Sequence, residues 1–333
     1  MATLIENNKT ILQNFVHDVV DGKNLSAADR YLAPNFFHHD LAPGEQTANQ
    51  TGREGLKRFF AATVFPAFSG FRTAFQHLIA QKDLVAGLWT QSVKQTGRWL
   101  GRPPSGREAS IGGISIVRVR RNLICEEWEA RDTVTLLQTF GVIPKPKPLD
   151  PFGGAVSGGV LQQPYSSVRT GAPLAPPLIP TKDVAGGSLS AGGTSGALEA
   201  LKTPALLFIT EVLSGGQTKA IDQLFAPGFV NHDMMDGQRP GREGIKQFTG
   251  LFRSAFPEAV VTPDVALAEG DMVVARWTAI GRQGGTFLGV PPRGRSLSVS
   301  GITAFRIQGN QIAERWGYWP VAETLQQLGA GSQ

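Results

Sequence analysis

The sequence predicts an α+β chain built twice over, each copy a group of helices laid on one curved face of an antiparallel sheet. Three observations predict it: a length of 333 residues, a long internal repeat, and a change of apolar period from helical to alternating within each copy. The length suggests about two domains of ordinary size. The repeat then says that they are the same domain. Leu32-Ala33-Pro34-Asn35-Phe36-Phe37-His38-His39-Asp40 returns as Phe225-Ala226-Pro227-Gly228-Phe229-Val230-Asn231-His232-Asp233, and Gly52-Arg53-Glu54-Gly55 returns as Gly241-Arg242-Glu243-Gly244. From Asp83 onward the copies align without a gap, Trp89 with Trp277, Gly113 with Gly301 and Glu126-Glu127-Trp128 with Glu314-Arg315-Trp316. A period this long describes whole domains rather than solenoid repeats.

The elements follow in order. Leu12, Phe15, Val16 and Val19 mark one face of a first helix ending near Asp21-Gly22, Ser26 is placed to cap a short second helix before Pro34, and Gly52–Phe60 supplies a third. The period then changes. Phe71, Thr73, Phe75, His77 and Ile79 are expected on one face of a strand, followed by strands at Leu84–Gln95, Glu108–Val119 and Leu123–Arg131. Thr133–Phe140 closes the copy as a short helix. The predicted division is a first copy over 1–143, a linker over 144–196 and a second copy over 197–331. Many of the 40 glycines and 22 prolines fall in the linker, where Val160–Ile179 offers enough apolar residues for an ordered strap across a domain surface.

Composition narrows the function classes. The 32 basic and 27 acidic residues are scattered, which argues against a dedicated nucleic-acid or anionic-membrane surface. The single cysteine, Cys125, excludes an intramolecular disulfide or a thiolate metal cage. Met1–Lys23 is interrupted by charged and polar residues, and nowhere do 18 apolar residues run together, so the expectation is a cytoplasmic protein without membrane partners.

Each half resembles a SnoaL-like polyketide cyclase domain, within the cone-shaped fold of nuclear transport factor 2-like proteins. The resemblance rests on Phe36-x-x-His39-Asp40, Gly52-Arg53-Glu54-Gly55, the Trp89 strand, Gly101-x-Pro103-Pro104-x-Gly106-Arg107, Trp128 followed by Asp132, and Leu136-Leu137-Gln138-x-x-Gly141, in that order and twice over. It implies a pocket between helices and concave sheet, and cofactor-independent aldol chemistry on a polyketide-like small molecule. It also implies that Asp132 is the general acid/base. Pro320 stands opposite Asp132 in the second half and has no proton to give or take.

The remaining candidates each have a structural alternative. Asp132 shares strand parity with Trp128, where burial would raise its pKa, yet it directly precedes a helix and is also a good cap. His39 is the candidate oxyanion partner, with His38 and His77 beside it as substrate-binding residues; each can equally be a satisfied structural histidine. A metal site at His38-His39 is disfavoured because neighbours in an extended chain point to opposite sides. Trp89, Trp128, Trp277 and Trp316 are pocket candidates or core aromatics, and His232 and Tyr318 complete the second-half set. The leading functional reading is a cyclase acting in the first-half pocket. The alternatives are a non-catalytic binding pseudo-dimer, or a dehydratase, isomerase or epoxide hydrolase on the same fold, with further self-association left open.

Overall fold

The computed structural model describes residues 2–39, 52–143, 195–235 and 237–329. The stretch 160–179, offered as an alternative strap, nearly all of the expected linker, and Asp40 lie outside the described residues.

The first half opens with α1 (Ala2–Phe15), which continues through a wider-wound turn to Asp21. A short helix α2 (Ala28–Tyr31) then leads into β1 (Leu32–His38). Asn24, rather than Ser26, caps the turn before α2, because its side chain accepts from the Ala27 amide while Ser26 donates to it in turn. Next come α3 (Gly52–Phe59), the one-turn α4 (Phe65–Ala67), and strands β2 (Phe68–Gln81), β3 (Leu84–Gln95), β4 (Glu108–Arg120) and β5 (Leu123–Arg131). Arg121 and Asn122, both at positive φ (53° and 61°), close the β4–β5 hairpin with the twist such a two-residue turn requires. α5 (Thr133–Thr139) completes the half, capped by Asp132, whose carboxylate accepts from the Thr135 amide at 2.9 Å.

The second half repeats this plan. Its elements are α6 (Ser195–Leu207, running on to Ser214), α7 (Ile221–Leu224), β6 (Phe225–Asn231), α8 (Gly241–Ala255), β7 (Val260–Glu269), β8 (Met272–Arg282), β9 (Ser296–Gln308), β10 (Gln311–Tyr318) and α9 (Val321–Gln327). Both sheets have five strands, in the orders β1-β5-β4-β3-β2 and β6-β10-β9-β8-β7. The meander is antiparallel as expected, but the opening strand of each half joins the far edge parallel to the last one, so the sheets are mixed.

Each sheet has helices on its concave face and the other sheet on its convex face. Between the sheets, Ile79, Leu88, Ile114, Ile116 and Trp128 pack with Leu267, Met272, Val274, Ile302 and Ala304. Full burial of such side chains is worth about 1.5–3 kcal/mol each, so this layer binds the halves firmly. The sheet edges exchange hydrogen bonds with local two-fold symmetry: Glu269 accepts from the Ala80 amide at 2.7 Å, and Gln81 accepts from the Ala268 amide at 3.1 Å. Lys9 adds an ion pair to Glu269 at 2.8 Å.

β2 departs from simple alternation. Its pairing slips between Phe75, opposite Trp89, and His77, opposite Leu88. This β-bulge moves His77 and Ile79 off the face of Phe71, Thr73 and Phe75 and turns them toward the other half.

Candidate functional site

Register places the polar groups of the first half. β1 and β5 pair so that His38 lies opposite Glu127, and alternation along β5 sends Glu127, Glu129 and Arg131 inward while Trp128 and Ala130 face the second sheet. These inward residues form one wall of a cavity of about 180 Å³ inside the first cone. Trp89, Gln91, Thr73 and Ser115 extend its polar floor, and Phe15, Phe59, Phe60, Phe71 and Trp99 supply aromatic walls. Gly113 makes the floor possible: a β-carbon there would lie 2.3 Å from the Trp89 ring. The indole can therefore lie flat across β4 and donate to Ser115 Oγ at 3.0 Å.

The two carboxyls in this wall have opposite surroundings. Glu129 accepts from Ser115 Oγ at 3.2 Å and forms an ion pair with Arg131 at 2.7 Å. Glu127, 7% exposed, has His38 Nε2 at 3.9 Å. Burial, reinforced by the nearby charge of Glu129 and opposed by Arg131, pushes its pKa up to about 8. At neutrality Glu127 is therefore mainly protonated and can act as a donor in this wall.

The second cone is filled differently. Phe208, Phe225, Phe229, Phe252, Phe256, Phe287 and Phe305 belong to one continuous core, and the cavity beside it measures about 90 Å³. The counterparts of the first polar wall are Asn231 for His38, Arg315 for Glu127, Gly317 for Glu129 and Trp319 for Arg131. Arg315 Nη1 donates to both oxygens of Asp233 at 2.7 Å and to Asn231 at 3.1 Å, and its guanidinium lies over Phe208. Arg131, Asp132, Thr133, Val134 and Thr135 of the first half form part of the wall of this smaller cavity.

The expected site residues therefore divide. His38 and Trp89 line the larger cavity. Asp132, half-buried, lines the smaller one with Tyr318; burial raises its pKa, while the cap hydrogen bond from Thr135 opposes the rise. His39 stacks on Trp128 at 4.6 Å with Glu126 at 3.6 Å, and His232 stacks on Trp316 at 4.4 Å with Glu314 at 2.8 Å. Neither pair lines either cavity, because Trp128 and Trp316 stand on the convex faces. His77 sits between the halves, 5.5 Å from the Trp316 ring, with burial and Arg306 lowering its pKa. Trp277 lies beneath Gly301, donates to Thr303 at 3.1 Å and packs against the second core.

The cavity-lining set that sequence reasoning did not single out is Glu127, Glu129 and Arg131. Its signal was charge at alternate positions 127, 129 and 131 of a nine-residue strand that carries one further charge, at Glu126.

Comparison with known proteins agrees with this architecture. The family model described as SnoaL-like polyketide cyclase matches residues 10–140 and again 203–328. The chain belongs to the SnoaL-like polyketide cyclase family. Similar solved structures each cover about two-fifths of it. TsrD from Streptomyces laurentii is 28% identical, covering 41% of this chain and 98% of its own, with a TM-score of 0.36. Wild-type IdmH from Streptomyces antibioticus is 29% identical, covering 39% and 99%, with a TM-score of 0.33. A SnoaL-like polyketide cyclase candidate from Jannaschia sp. CCS1 is 24% identical, covering 42% and 98%, with a TM-score of 0.37. No curated protein sequence matches the chain. Among the described residues, no helix is long and apolar enough to cross a membrane.

Proposed function

We propose that the first half is a cofactor-independent acid/base catalyst that closes a ring by an aldol-type step, or performs a related proton transfer, on a largely apolar polyketide-like carbonyl compound. Glu129 accepts the proton of a carbon flanked by carbonyls, and the enolate carbon attacks a second carbonyl of the same molecule. Glu127 donates its proton to the alkoxide that forms, and the proton held by Glu129 returns to Glu127 through solvent when product leaves. His38 keeps the donor in place and the aromatic walls exclude water. The observation that carries this reading is the pair of carboxyls in one cavity wall, one held by Arg131 and the other buried, where burial favours its protonated form. Incubation with a panel of linear polyketide-like esters, read by mass and chirality, tests it: ring-closed or dehydrated product should form and should vanish in Glu127→Gln.

A second reading is favoured by one observation. Asp132 holds the family-matched acid/base position and has a raised pKa. In that reading Asp132→Asn abolishes turnover and Glu127→Gln spares it, so the two variants decide between the carboxyls.

A further inference from the structure

We propose that Gln91 sets specificity in the larger cavity by recognising a hydroxyl group on the compound bound there, with Asp21 as the positioning residue that decides which end of its amide meets the ligand. Resting on the acid/base reading of that cavity, this narrows the substrate to a carbonyl compound that also carries a hydroxyl. Asp21, Thr73 and Gln91 form a directed chain of hydrogen bonds. The Thr73 amide donates to Asp21 Oδ2 at 2.9 Å, the Thr73 hydroxyl donates to Oδ1 at 2.8 Å, and Gln91 Nε2 donates to Thr73 Oγ1 at 2.9 Å. An ionised carboxylate only accepts, so the Thr73 hydroxyl proton points at Asp21 and its lone pairs face Gln91. Gln91 must then present its N–H side to Thr73, which puts Oε1 on the opposite side of the planar amide.

Gln91 lies opposite Thr73 in the β2–β3 pairing and lines the cavity with Trp89 and Val93, its neighbours of the same strand parity. Among the described residues no group donates to Oε1, and the atom keeps accessible surface. It is an acceptor open to the cavity. A ligand hydroxyl completes it, whereas a ketone oxygen in the same place sets lone pair against lone pair. The second half shows which part of the chain is structural. Its equivalents are Ser214, Val261 and Ala279, and Ser214 Oγ still accepts from the Val261 amide at 3.0 Å. The tie from helix end to strand therefore serves the fold in both halves, while the side-chain relay from Asp21 through Thr73 to Gln91 belongs to the half with the carboxyl pair.

Indole NMR on the full chain tests this with cyclohexanol and cyclohexanone, which share a ring and differ in carrying a hydroxyl or a ketone. Trp89 and Trp99 line the cavity, and Trp277, packed against the second core, is the internal reference. Cyclohexanol should bind about three- to tenfold more tightly than cyclohexanone, the usual weight of one hydrogen bond. Gln91→Ala, which copies Ala279 of the second half, should abolish this preference. Asp21→Asn keeps the shape but must set its one oxygen on the Thr73 amide and its amino group on the Thr73 hydroxyl. That reverses the relay and turns the Gln91 amide around, so the preference should pass to cyclohexanone. Thr73→Ser should keep the wild-type preference. A merely structural Asp21 would weaken both probes alike and leave their ratio unmoved. The ratio is read without turnover, so a chain that shows it and closes no ring would overturn the acid/base reading alone. Equal binding of the two probes to the wild type, an unchanged ratio in Gln91→Ala or Asp21→Asn, a lost preference in Thr73→Ser, or indole signals that neither probe moves would overturn the proposal.

Discussion

The two cones share a backbone plan, yet one holds a cavity of about 180 Å³ with a charged wall and the other a cavity of about 90 Å³ beside a packed aromatic core. The difference comes from few substitutions. Glu127 becomes Arg315, Glu129 becomes Gly317 and Gln91 becomes Ala279, while the indole-under-glycine arrangement stays at Trp89–Gly113 and Trp277–Gly301. The comparison separates two kinds of constraint. Both halves keep the indole and its glycine; among the described residues, the pair of carboxyls at alternate inward positions of the last strand, Glu127 and Glu129, belongs to the first half alone.

The sharpest way to break this asymmetry is to remove the donor carboxyl. Glu127→Gln should lower turnover by about 10²–10⁴-fold, the usual weight of a general acid or base, with ligand binding retained in a direct binding assay. Wild-type turnover in that variant would move the chemistry out of the first cone.

Next in size is the layer that joins the halves. Ile302→Ala, at a side chain 1% exposed between the sheets, should cost about 2–5 kcal/mol in urea unfolding. A loss below about 1 kcal/mol, typical of a surface site, would mean that the sheets do not press together in solution.

A matched pair of changes sharpens the comparison directly. Ser115 and Thr303 are equivalent and each accepts from its tryptophan, but Ser115 also donates to a carboxylate. Ser115→Ala should lower turnover about tenfold through one lost charge-assisted hydrogen bond, and Thr303→Val should leave it unchanged. Equal effects would erase the distinction between the cones.

The pH dependence follows from Glu127. Its folded pKa of about 8 lies above its ordinary value of 4.5, so the folded chain holds this proton more tightly than the unfolded one. Its contribution to stability is fully present below 4.5 and is lost as pH rises through about 8. Urea midpoints measured at acid and alkaline ends of that window should fall more steeply for the wild type than for Glu127→Gln, and turnover should fall above about pH 8 as the donor ionises. Parallel stability curves would place the proton elsewhere.

The smallest effect belongs to the helix cap. Asp132→Asn keeps a good cap and should change stability by only a few tenths of a kcal/mol, whereas Asp132→Ala should cost about 1 kcal/mol. A large loss in the asparagine variant would show that its charge, rather than its cap, matters to the fold.

Much of the fold was legible in the sequence because duplication and apolar period are local signals. Strands Leu84–Gln95 and Leu123–Arg131 lie where alternation put them. β1 was harder to see: seven residues containing Pro34 carry little alternation, and the parallel pairing to β5 is a long-range choice. The bulge at Phe75–His77 was invisible for a related reason, since an extra residue in a strand leaves no compositional mark. Of the expected residues, Trp89 and His38 line the larger cavity, whereas the side of β5 that carries Trp128 faces the second sheet. Trp128 marks the convex face, because a second sheet covers what would be solvent on a lone cone. A single domain's sequence pattern does not say which of its two buried faces surrounds a cavity.

One side chain links the histories of the halves. Val134, on α5 of the first half and 2% exposed, is buried in the core of the second, and Ile143 packs against the same core. Among the described residues, the clusters inside the first cone draw on the first half alone. The first core is therefore complete without the second half, whereas the second core is complete only with α5 of the first half docked against it. The first half thus supplies part of the surface on which the second core is built.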